Sequence, residues 1–184
     1  KPAEFQAMLQ LDLEAVKKFI FEEHQAGRLN MNKMGIVGAE MSASLAAAYT
    51  SLDWAKENEK LSGLTGMRVI LDDALKFLQR EEKRGNKYHG IILDPPAYGH
   101  GPSGEKWKLE DQIGEMMQSV LNLLDEEKHF LILNAYSLGF SSLILQNLVQ
   151  QDFKPQNLET GELYLRDSFG KNLPLGAFAR FIKR

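Results

Sequence analysis

Residues 88–104 have the sequence YHGIILDPPAYGHGPSG, and this stretch decides the fold. The apolar run over residues 91–93 predicts a buried strand, which ends abruptly at Asp94, Pro95 and Pro96 before a glycine-rich loop. Open α/β sheets bind ligands at the carboxyl ends of their strands. Because prolines have no N–H and a fixed φ, we expect the carbonyls of Asp94 and Pro95 to be left for a ligand. The stretch therefore predicts a ligand site at Asp94.

The rest of the chain alternates between strand and helix patterns, which predicts one Rossmann-like domain over residues 1–184. Strands are predicted over residues 34–37, 67–71, 90–93 and 130–133, and helices over 9–23, 42–62, 74–84, 113–124 and 141–150. Residues 158–166 and 175–182 predict a terminal antiparallel hairpin. The expected fold is a three-layer α/β/α sandwich with a mainly parallel, doubly wound sheet of five or six strands, the first of them central.

The composition limits the possible functions. The 184 residues carry a net charge of −3, so there is no general attraction to nucleic acid and any RNA contact has to be local. Cysteine is absent, which excludes disulfides, thiolate metal sites and cysteine nucleophiles. The histidines lack metal-ligand spacing, so no metal is expected. With no apolar run of about 18 residues and no signal peptide, we expect a cytoplasmic protein without a membrane partner.

The sequence DPP after an apolar strand resembles the D/N-P-P motif of class I S-adenosylmethionine-dependent methyltransferases. Similar stretches follow one another in order over residues 54–184, namely WAKEN, DDALKF, RGNKY, DPPAYGHGPSGEKWKLED, LNAYS and DSFGKNLPLGAFARF. Together they resemble the carboxyl-terminal two thirds of bacterial methyltransferases related to rRNA methyltransferases. The resemblance implies S-adenosylmethionine as cofactor and an amine of RNA or of a nucleotide as methyl acceptor.

The resemblance also implies roles for individual residues. The Asp94 side chain and the Pro95 carbonyl would orient the acceptor amine, and Tyr98 would supply the aromatic ring that stacks on the base, one position later than in the family. Asp72 and Asp73 would contact the adenine amino group of the cofactor. Aspartates at this position also make ordinary helix N-caps, so one can cap while its neighbour binds.

Further cofactor contacts are expected near the first strand. Gly35 and Gly38 would let the backbone approach a nucleotide, with packing alone as the alternative. Glu40 would replace the acidic residue that holds the ribose in the family.

Four more residues are candidates for contact with the substrate: His100, Lys106, Trp107 and Asn134. Lys106 and Trp107 interleave a charge and an aromatic ring, as nucleic-acid sites do. The alternatives are that His100 is a solvated loop residue and that Trp107 covers the loop. Asn134 ends the next strand and would line the substrate pocket.

The first 53 residues differ from the methyltransferase pattern. One β-α step with the ribose acid is missing, and residues 12–20 and 29–43 resemble an α/β-hydrolase segment. In that alignment Glu40 takes the nucleophile position and Ser42 the second glycine, so a hydrolase centred on Ser42 is disfavoured. The incomplete cofactor motif counts against activity. Two hypotheses remain, a methyltransferase or an inactive natural or engineered chimera, either monomeric or dimeric through an exposed edge strand.

Overall fold

The computed structural model describes residues 22, 26, 34–38, 55–63, 65–70, 72–100, 106–137 and 139–184. Outside these ranges lie the predicted helix over 9–23 except Glu22, which is helical, most of the predicted helix over 42–62, and the candidate residues Glu40 and Ser42. Residues 55–61 are helical, in agreement with the prediction, and the turn after them places Gly63 at a φ of +64°.

Seven strands and three further helices follow one another in the described ranges. The strands are β1 (Met34–Gly38), β2 (Gly90–Asp94), β3 (Tyr98–His100), β4 (Lys106–Lys108), β5 (His129–Ala135), β6 (Glu159–Arg166) and β7 (Asn172–Lys183). The helices are α1 (Ala74–Lys83), α2 (Leu109–Leu123) and α3 (Ser142–Gln150). The main sheet has the order β1-β2-β5-β7-β6, with β1, β2 and β5 parallel and the β6–β7 hairpin antiparallel. The predicted Rossmann-like α/β class is confirmed.

The core forms where apolar residues of the parallel strands meet those of the helices. Leu93 and Leu133 are completely buried near the ends of β2 and β5. Strands with continuous apolar sequence are typical of parallel sheets that are covered on both faces. Helix α2 adds a stripe of buried residues at helical spacing, Ile113, Met116, Met117 and Val120.

Local signals in the sequence set the ends of the helices. The Asp73 Oδ1 atom accepts a hydrogen bond from the Lys76 N–H at 2.9 Å and caps α1, as the sequence predicts. Gly85 follows this helix with a φ of +68°, a conformation that favours glycine. Ser141 caps α3 in the same way, with its Oγ atom 3.4 Å from the Ile144 nitrogen.

Three features differ from the sequence predictions. Residues 67–70 form no strand, and Met67 and Ile70 are 43% and 40% exposed. Among the described strands, β1 pairs with β2 alone and is the terminal strand of the sheet order, whereas the sequence predicts a central position. The loop after β2 contains the small hairpin β3–β4, in which Gly99 lies opposite Trp107.

A buried carboxylate joins the end of α1 to the start of β2. Glu81 is 5% exposed and accepts hydrogen bonds from the Tyr88 hydroxyl at 2.6 Å, the Asn86 amide at 2.6 Å and the Arg84 guanidinium at 2.7 Å. These donors, Tyr88 above all, lower the pKa of Glu81. Burial and the Glu81 carboxylate raise the pKa of Tyr88 to about 12.

We expect Glu81→Gln to destabilise the protein by about 1–3 kcal/mol at pH 7, because it removes a buried charge-assisted hydrogen bond acceptor. A folded-state pKa below the usual value adds stability above the unfolded pKa, and this stability is lost as the pH falls through the folded pKa. Urea unfolding between about pH 7 and pH 3 should therefore show a steeper acid loss in the wild type than in Glu81→Gln. Glu82→Gln, at the neighbouring position, is the control and should lose stability with falling pH as the wild type does. Parallel curves for wild type and Glu81→Gln would contradict the prediction.

Candidate active site

The three parallel strands end side by side. Gly38 at the end of β1 is the register partner of Asp94 at the end of β2, and Leu93 is the partner of Leu133 in β5. Asn134, the residue after Leu133, donates a hydrogen bond from Nδ2 to the Asp94 Oδ1 atom at 2.9 Å. The structure therefore brings Gly38, Asp94 and Asn134 to one edge of the sheet, where a ligand site is expected.

The environment makes Asp94 a stronger base than an ordinary surface aspartate. Although the residue keeps an exposed surface, the packing around its carboxyl removes part of its hydration, which raises its pKa. The hydrogen bond from Asn134 stabilises the charged form and works in the opposite direction.

Two hydrogen bond acceptors near Asp94 have no donor among the described residues. The carbonyls of Pro96 and Ala97 are occupied, by the Trp107 indole N–H at 2.7 Å and by the Leu109 N–H at 3.1 Å. In contrast, the Pro95 carbonyl accepts no hydrogen bond from the described residues. The buried Oδ1 atom of Asn134 also finds no partner among them. A ligand with N–H or O–H donors would satisfy this edge of the sheet.

Trp107 is buried, whereas the sequence made it a candidate for contact with the substrate. The residue is 1% exposed, its side chain belongs to the hydrophobic core, and its N–H holds the Pro96 carbonyl. A ring in this position offers no open face to a base. The structure therefore favours the alternative interpretation, in which Trp107 supports the loop.

An open groove of about 540 Å³ lies beside the strand ends. It is lined by Ala97, Tyr98, Lys108, Glu110, Tyr136 and Ser137. The two tyrosines are 54% and 51% exposed. The Ser137 hydroxyl donates to the Glu110 Oε1 atom at 2.8 Å, which links the loop after β5 to the start of α2.

Among the described residues that line the groove, Lys108 and Glu110 are charged. Hydrogen bonds from its own backbone N–H and from Ser137, together with the charge of Lys108, hold the pKa of Glu110 below its usual value. The sequence analysis did not single out Glu110. An acidic residue in the first turn of a helix is an ordinary helix signal, so nothing local marks it as part of a site.

The other residues that were predicted to bind the cofactor take different positions. Gly35 lies opposite Ile91, three residues before the end of β1, so only Gly38 of the two glycines reaches the edge. Asp72 pairs with Arg80 and accepts the Asp73 N–H at 2.9 Å.

In the small hairpin, His100 lies opposite Lys106, which is exposed. Within the described part of the chain, no group of three or more His, Asp or Glu residues could hold a metal ion. No described helix is long and apolar enough to cross a membrane.

We expect Asn134→Ala to raise the pKa of Asp94 further, because the variant loses a hydrogen bond that stabilises the carboxylate. A ¹³C NMR titration of the Asp94 carboxyl measures this shift directly. Asn122→Ala is a matched control, since that amide contacts Glu82 at 3.4 Å instead. An unchanged Asp94 titration in Asn134→Ala would show that the hydrogen bond does not set the acidity of Asp94.

The fold and the site together define a Rossmann-like α/β domain with hydrogen bond acceptors at the carboxyl edge of its parallel strands. Comparison with known proteins shows which proteins of this fold the chain is similar to. The chain is similar to a SAM-dependent methyltransferase from Agrobacterium tumefaciens, with 32% identity, a TM-score of 0.68, and coverage of 82% of this chain and 49% of that chain. A methyltransferase candidate solved with SAH has the same fold at 14% identity and a TM-score of 0.58, over 80% of this chain and 38% of that chain.

Curated relatives with similar sequences are also methyltransferases by their names. The chain is 28% identical over 102 residues to the ribosomal RNA large subunit methyltransferase K/L of Shewanella frigidimarina, covering 54% of this chain and 14% of the relative. It is 25% identical over 126 residues to methyltransferase K of Neisseria meningitidis, covering 66% of this chain and 34% of the relative. The chain thus spans about a third or less of these two relatives. No protein-family model matches the chain. The similarity to class I S-adenosylmethionine-dependent methyltransferases is confirmed.

The α/β-hydrolase part of the sequence interpretation gains no support. Residues 54–184 make up about seven-tenths of the chain, whereas the match to the Agrobacterium protein covers 82%. The methyltransferase similarity therefore extends into the first 53 residues. A chimera is not favoured over a single methyltransferase-like chain.

Proposed function

We propose that the protein is an S-adenosylmethionine-dependent methyltransferase that methylates an amine of RNA or of a nucleotide. The observation that carries this proposal is the pair Asp94–Asn134 at the edge of the sheet, together with the Pro95 carbonyl, to which no described residue donates a hydrogen bond. Acceptor groups of this kind fit an amine, which is a hydrogen bond donor.

Each acceptor has a task in the proposed reaction. The Asp94 carboxylate and the Pro95 carbonyl accept the N–H groups of the amine and aim its lone pair at the methyl group. When bound, S-adenosylmethionine supplies an electrophilic methyl group and keeps the electron pair of the broken C–S bond on sulfur. Asp94 takes the proton that the amine loses, and its raised pKa favours this transfer.

The cofactor would lie at the ends of β1 and β2. Gly38 has no side chain to obstruct a nucleotide beside Asp94, and the buried Asn134 Oδ1 atom accepts no hydrogen bond from the described residues. Asp72 and Asp73 stay proposed contacts of the adenine amino group, although Asp73 also caps α1 and Asp72 pairs with Arg80. Glu40 stays the proposed partner of the ribose.

RNA is the proposed acceptor because two curated relatives act, by their names, on ribosomal RNA. Such a substrate also agrees with a cytoplasmic location. The net charge of −3 requires that RNA is bound through local contacts rather than through a basic face.

Calorimetric titration with S-adenosylhomocysteine tests the cofactor site. We expect a dissociation constant in the micromolar range, corresponding to about −8 kcal/mol, and no comparable heat with ATP as a control for general adenine binding. Transfer of labelled methyl groups to unmodified large-subunit rRNA transcribed in vitro then tests the reaction. Absence of heat at millimolar ligand, from a protein that unfolds cooperatively, would contradict the proposal and favour an inactive scaffold.

A further inference from the structure

We propose that the outer part of the β6–β7 hairpin is an RNA-binding arm, in which Arg166 and Lys171 contact phosphates of the strand that carries the acceptor nucleotide. The arm consists of residues 163–176. That its ligand is RNA rests on the proposed function. The shape and charge of the arm are independent of the cofactor site.

The arm extends beyond the edge of the sheet that holds the candidate active site. Ala177 of β7 is the register partner of Ala135, the last residue of β5, whereas residues 172–176 have partners only in β6 among the described strands. A strand rises about 3.4 Å per residue, so the arm reaches about 17 Å past β5. Because β7 is antiparallel to β5, it does so at the carboxyl edge, where Asp94 and Asn134 lie.

The base of the arm packs directly against the loop that follows β5. A Cβ atom at Gly176 would come within 2.7 Å of the Ala135 carbonyl oxygen and 3.2 Å of the Tyr136 Cβ atom, so this close approach requires glycine. Tyr136 is two residues from Asn134. A strand bound along the arm therefore passes beside the proposed acceptor site.

The turn at the tip of the arm is fixed by Asp167. Its Oδ1 atom accepts the N–H of Phe169 at 2.9 Å and the N–H of Lys171 at 2.8 Å, and its own N–H donates to the Lys171 carbonyl at 2.8 Å. Gly170 has a φ of +82°, which favours glycine. Arg166 and Lys171 thus flank a turn whose geometry is set before a ligand binds, and this lowers the entropic cost of binding.

The two faces of the arm differ in chemistry. Side chains alternate along β6, so Tyr164 and Arg166 lie on one face and Leu163 and Leu165 on the other. Tyr164 is 55% exposed, and Arg166 is exposed beside it. An exposed aromatic ring next to a cation is typical of surfaces that follow a nucleic-acid strand. The face with Tyr164 and Arg166 is therefore the proposed RNA contact.

The charge of the arm complements an RNA backbone. Arg166 and Lys171 are its basic residues and Asp167 is its acidic residue, which gives the arm a net charge of +1 in a protein of net charge −3. A protein with this overall charge needs a local cationic surface to bind RNA. Glu162 precedes the arm on the Tyr164 face, so the phosphate contact is confined to the outer part of the hairpin.

The salt dependence of RNA binding tests the proposal. We expect Arg166→Ala/Lys171→Ala to weaken binding of a labelled single-stranded RNA of about 20 nucleotides at least about tenfold at about 50 mM salt, measured by fluorescence anisotropy. The slope of log K against log salt should fall by about 1.4, since each phosphate contact of a single strand contributes about 0.7. Both residues are exposed, so the variant should remain folded.

The matched control removes two exposed cations at the opposite edge of the sheet. Lys83→Ala/Lys154→Ala changes the net charge by the same amount, but these lysines precede the starts of β2 and β6. This variant should keep the wild-type slope to within about 0.3. Equal slopes for all three proteins, or equal losses in the two double variants, would overturn the proposal.

Two further measurements separate the alternatives. Sedimentation of the protein without RNA tests whether the arm binds a second copy instead. Self-association that Tyr164→Ala abolishes, together with an unchanged RNA affinity, would assign the arm to a protein interface. The titration with S-adenosylhomocysteine is read separately. Arm-dependent RNA binding without cofactor binding would support the arm and contradict the proposed methyltransferase activity, whereas methyl transfer with an arm-independent RNA affinity would contradict the arm alone.

Discussion

Replacing Asp94 with alanine is expected to lower kcat/KM for methyl transfer by about 10²- to 10⁴-fold, the usual contribution of a positioned proton acceptor. Asp94 lies at the end of β2, hydrogen-bonded to Asn134 and with a raised pKa. The variant loses both the acceptor that orients the amine and the base that takes its proton. Binding of S-adenosylhomocysteine should change less than about twofold, because the proposed role of Asp94 is on the acceptor side.

Two further variants separate the roles of Asp94. Asp94→Asn keeps an oxygen that can accept a hydrogen bond but removes the base, so we expect an activity between those of Asp94→Ala and the wild type. Asp111→Asn, an exposed aspartate in the first turn of α2, is the control and should keep full activity. The transfer of labelled methyl groups to unmodified rRNA measures the activities of Asp94→Ala, Asp94→Asn and Asp111→Asn. Full activity of Asp94→Ala would exclude Asp94 from the reaction.

The end of β2 at Asp94 could be located from the sequence because its signals are local. An apolar strand that ends at two prolines defines both the strand and its carboxyl end, whatever the rest of the fold does. The cap at Asp73 and the stop at Gly85 are equally local, and the structure contains both. These features depend on residues within one turn or one strand.

Features that depend on distant residues could not be predicted in this way. Asp94 and Asn134 are 40 positions apart, and their hydrogen bond follows from the register of β2 and β5. The apolar pattern over residues 67–71 predicts a strand, yet a strand forms only where another strand is available to pair with it. The groove also depends on distant residues, because Tyr98 and Tyr136 line it together only after the sheet has formed.

For Trp107, the local sequence favoured an exposed position, but the side chain is buried. Flanking lysines suggested an exposed nucleic-acid contact, but strand alternation in β4 turns both lysines outward and the tryptophan inward. The burial pattern of β4 is exposed, buried, exposed. The small hairpin thus positions the loop after Asp94 through a core side chain.

We expect Trp107→Ala to lower the free energy of unfolding by about 3–5 kcal/mol, the usual cost of removing a buried aromatic side chain. Trp107→Phe keeps a ring in the core and loses the hydrogen bond to the Pro96 carbonyl, so it should cost about 1–3 kcal/mol. Urea unfolding measures both values. A cost below about 1 kcal/mol for Trp107→Ala would contradict the core position.

The exposed Tyr98 is expected to affect RNA binding rather than stability, in contrast to Trp107. Tyr98→Ala should change stability by less than about 0.5 kcal/mol, because the residue is 54% exposed. It should nevertheless weaken binding of single-stranded RNA, whereas Trp107→Phe should bind RNA like the wild type as long as it is folded. The two aromatic residues lie nine positions apart around the same loop. Opposite effects on stability and on RNA binding would assign support of the loop to Trp107 and contact with the substrate to Tyr98.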